Sequence, residues 1–320
     1  MTILRTLGGA LLAVIVTNLG GANLACAADP AVSSDPAELR IGYQKGSIAL
    51  VLAKEHGLLE KRFAETQVQW IEFPAGPQML EALNIGALDV GSTGDIPPLF
   101  AQAAGADLLY IGAEPAKPQA ETVLVAADGP LHQVADLKGK KVAFQKGSSS
   151  HNLILRALNQ AGLKYTDIQP VYLSPADARA AFEQGSVDAW AIWEPFSSLA
   201  LSGGRARVLA DGTGLGLSGP VYTARRSYAT AHGAFINALL EQLTDAEALT
   251  RSERQMSLDV LTRSMGLPQP VIARYMDNRP ASPILPVTPQ IIAAQQQTAD
   301  LFFDNHLLPR RIDVGAAVRP

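Results

Sequence analysis

The feature that most constrains the fold is a four-residue segment that occurs twice, each time where a strand-like run gives way to a helical one. Gln-Lys-Gly-Ser follows LRIGY at residues 44–47, and it follows KKVAF at residues 145–148. A looser match pairs Gly86 with Gly185 and the Asp three residues after each. The repetition predicts two similar halves, although the common punctuation of any two α/β segments would also explain it.

Apolar strand-like runs alternate with helical segments in both halves. The predicted strands are LRIGY, VQWIEF, LDVGS and LLYIGA in the first half, and KVAFQ, VYL and DAWAIW in the second. The predicted helices cover residues 48–61, 77–85, 96–104 and 150–161, followed by one that starts at Ser174-Pro175. This alternation predicts parallel strands joined by right-handed crossover helices, hence an α/β fold.

The C-terminal third predicts how the two halves are connected. The strand-like run PVYTA after Gly219 precedes a mainly helical tail, at 234–249, 253–264 and 289–303. The simplest topology returns this tail to the first half, so that the chain crosses between the halves twice and the crossings form a hinge. We therefore expect one lobe at 38–122 with 223–320, and a second lobe at 123–222.

The N-terminus is typical of a secretory signal peptide. Arg5 is followed by an apolar stretch that ends in small residues, and residues 1–27 are the predicted signal, with a polar linker at 28–37. Two alternatives are an uncleaved membrane anchor and a lipoprotein attached through Cys26. Several glycines and asparagines weaken the apolar run that a spanning helix needs.

Composition limits the compartment and the partners. Without residues 1–27 the chain has no cysteine, since Cys26 is the only one, and this suits an oxidising exterior compartment. The same removal leaves 25 basic against 30 acidic side chains, because Arg5 is the one charged residue lost. With no basic stripe, nucleic acid is not expected as a partner.

The repeated turns are candidate anion sites. The first N–H groups of a helix have no partner within it, and the helix dipole adds partial positive charge there. Gly147 lets the backbone approach a ligand, while Ser148 and Ser149 add neutral hydroxyl donors. Such donors suit a sulfonate or sulfate, which is always ionised. We expect Lys45 and Lys146 to be solvated.

The next turn of each half adds further candidates. Gly94 offers a backbone N–H, and Trp193 a flat wall for an aliphatic chain, whereas Trp190 points to the opposite face and is expected in the core. Asp95 and Glu194 either cap the helices that follow or face the ligand, and a ligand-facing Asp95 would favour a sulfonate that carries an amine. The side chain of Gln44 can donate and accept at the same site.

The remaining sequence motifs do not indicate a catalytic or metal-binding function. The match to G-x-G-x-x-G at 214–219 precedes a strand rather than a helix, so it is expected to be a loop. The histidines show no metal-ligand spacing, and neither a metal nor another cofactor is expected. Ser150 and His151 are adjacent and diverge on a helix, which argues against a serine nucleophile. His151 is expected to be a donor at the edge of the cleft or an exposed helix residue.

Together, YQKGS, FPAGPQMLEALN, GSTGDIPP, VADLKGKKVAFQKGSSSHN and LSPADARAAFEQGSVDAWAIWEP resemble the periplasmic aliphatic sulfonate-binding proteins of ABC transporters. The likeness runs over about residues 38–309. It implies the type II periplasmic binding fold, two α/β lobes with a ligand cleft between them. The segments that face the ligand in this family correspond to Gln44, Gly94-Asp95, Ser148-Ser149, His151 and Trp193.

The resemblance also implies a function. It indicates a monomeric, non-catalytic periplasmic protein that captures alkanesulfonates as a sulfur source and delivers them to a membrane permease. Taurine-binding and nitrate-binding relatives share the scaffold, so another small anion remains an alternative. A second alternative is an enzyme like the pyrimidine synthases of thiamine biosynthesis, which share the fold but rely on histidine and cysteine clusters.

Overall fold

A computed structural model of the chain describes residues 35–318. The predicted signal peptide, Cys26 and most of the predicted linker lie outside these residues. Within 35–318 there are ten strands: β1 (Glu38–Tyr43), β2 (Gln67–Glu72), β3 (Val90–Thr93), β4 (Leu108–Ala113), β5 (Glu121–Ala126), β6 (Lys141–Phe144), β7 (Gln169–Tyr172), β8 (Ala189–Trp193), β9 (Ala206–Asp211) and β10 (Val221–Arg225).

Helices join most of these strands. Within 35–318 the α-helices are α1 (Ile48–Glu55), α2 (Leu58–Arg62), α3 (Gly76–Asn84), α4 (Pro97–Ala103), α5 (Ser149–Gln160), α6 (Pro175–Glu183), α7 (Phe196–Ser202), α8 (Arg226–Ala231), α9 (Gly233–Ser252), α10 (Arg254–Met265), α11 (Gln269–Asp277) and α12 (Pro289–Asp304). The helix predicted at 48–61 is two helices, α1 and α2, because the chain turns at Gly57 with φ 58°. The strands β5 and β9 and the helices α8 and α11 were not predicted.

The strands form two five-stranded sheets with the same plan. The first has the order β2-β1-β3-β10-β4, and the second has the order β7-β6-β8-β5-β9. The fold is therefore the expected α/β fold with two sheets and two crossings between them. Each sheet has apolar clusters on both faces, because successive residues of a buried strand point to opposite sides. In the second sheet, for example, Val123 and Leu124 belong to different clusters.

One expectation about the sheets is wrong in part, because each contains an antiparallel strand. β10 runs antiparallel to β3 and β4, and β5 runs antiparallel to β8 and β9. Both are the strands by which the chain enters a sheet from the other one. Neither arrives through a crossover helix, which a parallel neighbour would require.

The two crossings lie side by side at residues 114–120 and 212–220. The Glu114 backbone N–H donates to the Pro220 carbonyl at 2.8 Å, and the Gly212 N–H donates to the Pro118 carbonyl at 2.9 Å. A Cβ at Gly219 would lie 1.9 Å from the Glu114 carbonyl oxygen, so only glycine fits there. The lobe boundaries expected after residues 122 and 222 fall inside β5 and β10, two residues into each strand.

The looser half of the sequence repeat has a structural basis. Gly86 and Gly185 both end a helix with positive φ, 78° and 70°. Three residues later, Asp89 accepts the Arg40 backbone N–H at 2.8 Å and Asp188 accepts the Lys141 backbone N–H at 2.8 Å. Asp89 thereby joins the turn before β3 to β1, and Asp188 joins the turn before β8 to β6.

The two aspartates differ in their charged partners. The Asp89 carboxylate, 3% exposed, also pairs with the side chains of Arg40 and Arg225. Burial disfavours its charge, but the hydrogen bonds from these arginines outweigh burial and lower the pKa of Asp89. Asp188 is exposed.

We expect Asp89→Asn to lower the free energy of unfolding at pH 7 by about 2 to 3 kcal/mol, because it leaves two arginines without their partner charge. Asp188→Asn, the matched control, should cost less than about 1 kcal/mol. Urea unfolding of both variants measures the difference. It should be present above the ordinary Asp pKa of about 3.9 and vanish as the pH falls through the lower folded-state value. Equal losses at pH 7 would contradict this assignment.

Candidate ligand-binding site

A cleft lies between the two sheets, where the carboxyl ends of their parallel strands meet. Including the solvent at its mouth, it encloses about 910 Å³. Seven of the eight predicted site residues line it: Gln44, Gly94, Asp95, Ser148, Ser149, Trp193 and Glu194. A cleft at this edge is where open α/β sheets bind ligands.

The N-terminal ends of α1 and α5 form two corresponding walls of this cleft, one from each sheet. Gly46 and Ser47 lead into α1 from the first sheet, and Ser148 and Ser149 begin α5 from the second. In both helices the first N–H groups lack an intrahelical acceptor, so both walls present donors and partial positive charge. Lys45 and Lys146 are exposed, as expected, and neither lines the cleft.

The halves touch at Gly94, which sits in the turn after β3. A Cβ there would lie 3.0 Å from the Ser149 Cβ, so glycine allows α5 to come this close. The two serines differ in availability. The Ser148 hydroxyl donates to the Gln145 carbonyl at 2.7 Å and the residue is buried, whereas Ser149 is only partly buried. Ser149 is therefore the more accessible of the two hydroxyls, and its side chain hydrogen-bonds to Glu121 across the cleft lining.

Asp95 links the halves rather than capping α4 with its side chain. Its Oδ2 accepts from the Asn152 side-chain amide of α5 at 2.7 Å, and its carbonyl accepts from Gln295 of α12 at 2.5 Å. Arg156 reinforces this contact, because it donates to the Asn152 Oδ1 at 2.9 Å and to Thr298 of α12 at 2.9 Å. Burial raises the pKa of Asp95 to about 7, and the Asn152 hydrogen bond and the Arg156 charge offset only part of that rise.

Glu194 caps the helix that follows it, and it also lines the cleft. One carboxylate oxygen accepts the Ser198 backbone N–H at 3.1 Å, inside the first turn of α7. The other accepts the Ser198 hydroxyl at 2.7 Å and the Asn278 amide, from beyond α11, at 2.8 Å. Glu194 thus holds α7 against the first half while its carboxylate borders the cleft.

Trp190 and Trp193 lie on opposite faces of β8, as the alternation of side chains along a strand predicts. Trp190 is fully buried in the core of the second sheet. Trp193 is only partly buried, lines the cleft and packs edge-on against Phe196 at 6.3 Å between ring centres. Gln44 donates from Nε2 to the Ser92 carbonyl at 3.2 Å, which fixes its side chain across the ends of β1 and β3.

The expectation for His151 is wrong, because the residue is neither at the edge of the cleft nor exposed. It is fully buried, stacked on Phe144 at 5.1 Å, and accepts the Gly147 N–H on Nδ1 at 3.2 Å. Its Nε2 lies 3.1 Å from the Tyr165 hydroxyl. Two positions after Ser149 on a helix correspond to a rotation of about 200°, which turns His151 towards the core. Burial lowers the pKa of His151 to about 3, so the ring is neutral.

Several charged groups of the cleft were not predicted. Lys117 and Arg279 both pair with Glu114, and Glu114 also accepts the Tyr222 hydroxyl at 3.0 Å. Burial alone would raise the pKa of Glu114, but the two cations outweigh it and lower that pKa. Burial and the neighbouring Arg279 lower the pKa of Lys117 to about 8.

Glu121 is the other charged residue that the sequence analysis missed. It is the first residue of β5 and lines the cleft. In the pairing of β5 with β8, Glu121 is the neighbour of Trp193. Lys117 and Glu121 stand in or beside a crossing, and Arg279 follows α11, so no periodic pattern marks them. The one available signal was the density of charge and proline in EPAKPQAE at the predicted first crossing.

None of the helices in residues 35–318 is both long enough and apolar enough to cross a membrane. Over the same residues, no group of three or more His, Cys, Asp or Glu side chains is arranged to hold a metal ion.

Known proteins resemble the chain over most of its length. A family model described as NMT1/THI5 like matches residues 44–251, which include both crossings. A curated Escherichia coli K12 protein named for binding aliphatic sulfonates is 64% identical over 284 residues, 89% of each chain.

Two solved structures are similar in both sequence and fold. The alkanesulfonate-binding protein SsuA from Xanthomonas axonopodis pv. citri, bound to MOPS, gives a TM-score of 0.88 at 55% identity, over 89% of this chain and 99% of that one. The periplasmic aliphatic sulphonate binding protein SsuA from Escherichia coli gives 0.83 at 63% identity, over 88% and 97%.

Proposed function

This chain belongs to the NMT1/THI5-like family, and we propose that it is an extracytoplasmic solute-binding protein that captures aliphatic sulfonates for an ABC importer. The observation that carries the proposal is the meeting of two helix starts, those of α1 and α5, in one cleft between two sheets. The relatives named for sulfonate binding support it at 55–64% identity.

The chemistry of the cleft suits a sulfonate head group. A sulfonate is a permanent anion without a proton, and it spreads its charge over three oxygens. Backbone N–H groups at the starts of α1 and α5, with the Ser149 hydroxyl, supply neutral donors to those oxygens. Trp193 and Leu217 give the cleft apolar surface for an alkyl chain.

Binding would couple to closure of the two halves. Groups from both sheets line the cleft, so a ligand that contacts both favours the closed arrangement. The Asp95–Asn152 and Glu194–Asn278 hydrogen bonds join the halves on either side of the cleft and would stabilise that arrangement. The connections at 114–120 and 212–220 are the natural pivots, and the lobes would correspond to the two sheets.

The cellular setting follows from the same family. The protein would act in the periplasm as a monomer, after cleavage of its signal peptide, and release the sulfonate to a membrane permease as a sulfur source. Its close relatives are named as binding proteins, and this chain is likewise a binding protein and not an enzyme. The pyrimidine-synthase alternative finds no support in them.

A zwitterionic amino-sulfonate such as taurine is the second candidate, and one observation favours it. Four carboxylates line the cleft, those of Asp95, Glu114, Glu121 and Glu194, against the two cations Lys117 and Arg279. An ammonium group on the ligand would offset part of this negative charge.

Propane-1-sulfonate and taurine differ by a methyl in place of an ammonium group, so they separate the two candidates. Calorimetric titration should give a dissociation constant for propane-1-sulfonate of about 1 µM or tighter. Taurine should bind at least about tenfold more weakly, because it loses apolar contact and must be desolvated. The buffer must itself lack a sulfonate group. The reverse order would support the amino-sulfonate. No binding below millimolar for these or longer alkanesulfonates would contradict the proposed function.

The two cleft serines give a matched pair of variants. Ser149→Ala should weaken propane-1-sulfonate binding by about 1 to 3 kcal/mol, because it removes a donor from a desolvated anion. Ser148→Ala should weaken it less, since the Ser148 hydroxyl already donates to the Gln145 carbonyl. Calorimetry of both variants tests this ranking. An unchanged affinity in Ser149→Ala would place the sulfonate elsewhere in the cleft.

A further inference from the structure

The balance of charge in the cleft is unusual for a protein that takes up an anion. Four carboxylates and two cations line it, so with every group in its ordinary state the formal charge is −2. The nearest charges behind this lining, Arg156 beside Asp95 and Glu247 beside Arg279, cancel each other. A sulfonate would bring the total to −3 in a cleft from which water is excluded. Such an arrangement favours a proton on one of the carboxylates.

Glu121 is the carboxylate best placed to hold that proton. Its Oε2 is buried and has no hydrogen-bond partner among residues 35–318. The charged groups that face it are Asp95 from the turn before α4, Lys117 from the first crossing and Glu194 from the end of β8. Ser149, at the start of α5, hydrogen-bonds to the Glu121 side chain from the remaining side. Two of the three charges are negative, which disfavours a third.

The other carboxylates already have donors that suit their ionised forms. Asp95 accepts from the Asn152 amide, Glu114 pairs with both cations, and Glu194 accepts three hydrogen bonds. A carboxylate that accepts hydrogen bonds is stabilised in its charged state. Glu121 has a single neutral donor, the Ser149 hydroxyl, and its Oε2 has no partner among residues 35–318.

We propose that Glu121 is a ligand-binding residue that carries a proton in the sulfonate complex and donates it in a hydrogen bond to a sulfonate oxygen. This inference rests on the proposed function. At alkaline pH the protein would then take up one proton with each monoanionic alkanesulfonate, and no bond to carbon or sulfur changes. A carboxylic acid donates a hydrogen bond without adding the positive charge that a cation would add. The site therefore selects ligands with a single negative charge.

The expected pH window follows from linkage. Burial raises the pKa of Glu121 to about 8, with Ser149 and Lys117 opposing the rise and Asp95 and Glu194 adding to it. A bound anion raises this pKa further, so the complex holds the proton more tightly than the free protein does. At pH 6 Glu121 is protonated in both states and contributes no pH dependence, whereas Asp95, whose pKa burial raises to about 7, adds the same dependence near pH 7 in every variant. Above pH 8 the free protein loses the proton first, and the affinity falls by up to about tenfold per pH unit.

Lys117 titrates in the same range and must be separated from Glu121. Loss of its charge above pH 8 would also weaken anion binding. Lys117→Arg keeps the positive charge at all relevant pH, whereas Glu121→Gln removes the titrating carboxyl and leaves an amide donor. Glu241→Gln removes a carboxylate from the exposed surface of α9 and controls for the change in net charge.

The test is calorimetric titration of butane-1-sulfonate between pH 6 and pH 9, in pairs of sulfonate-free buffers that differ in ionisation enthalpy. The wild type, Glu241→Gln and Lys117→Arg should take up about half a proton at pH 8 and almost none at pH 6. Their affinity should fall by at least fivefold from pH 7 to pH 9. Glu121→Gln should show clearly less of both effects than these three proteins, because only Lys117 and Asp95 still titrate in this range.

Each other result has a defined meaning. A pH-independent affinity and no proton uptake in the wild type would overturn the inference while leaving sulfonate binding intact. An alkaline loss that persists in Glu121→Gln and disappears in Lys117→Arg would overturn it in favour of the lysine. No binding of butane-1-sulfonate at any pH would instead refute the proposed function.

Discussion

The site depends on one property of α-helices, namely that their first backbone N–H groups cannot be satisfied within the helix. The helices α1 and α5, which follow β1 and β6, begin at the carboxyl edges of these strands, and the repeated Gln-Lys-Gly-Ser turn makes each start. The antiparallel entry strands β5 and β10 occupy equivalent places in the two sheets. The starts of α1 and α5 therefore face a common cleft.

Side chains adapt this backbone site to a selective role. The cations of the cleft, Lys117 and Arg279, pair with Glu114, so they do not add unopposed positive charge. Two links between the halves, from Asp95 to Asn152 and from Glu194 to Asn278, use carboxylates that line the cleft. In the proposed function, the same residues would therefore affect both closure of the cleft and the electrostatics of binding. A ligand that alters the charge state of one carboxylate also affects the contact between the halves.

The sequence was sufficient for the features that have a period or a fixed local signal. Eight of the ten strands within 35–318, most helices, the return to the first sheet and the core position of Trp190 could all be read from apolar spacing and turn residues. The antiparallel direction of β5 and β10 could not, because a run such as ETVLVA has no direction in its pattern. Lys117, Glu121 and Arg279 lie in or beside connections, where charge is ordinary and only the fold shows that it is buried. His151 was misplaced because its proximity in sequence to Ser149 says nothing of the opposite direction in which a helix points it.

The most direct test of the account is a crystal structure of the protein with propane-1-sulfonate bound. The account predicts sulfonate oxygens within hydrogen-bond distance, about 2.7 to 3.2 Å, of backbone nitrogens at the starts of α1 and α5, with the propyl chain directed towards Trp193. A sulfonate held instead by Lys117 and Arg279, with the helix starts left to water, would contradict it.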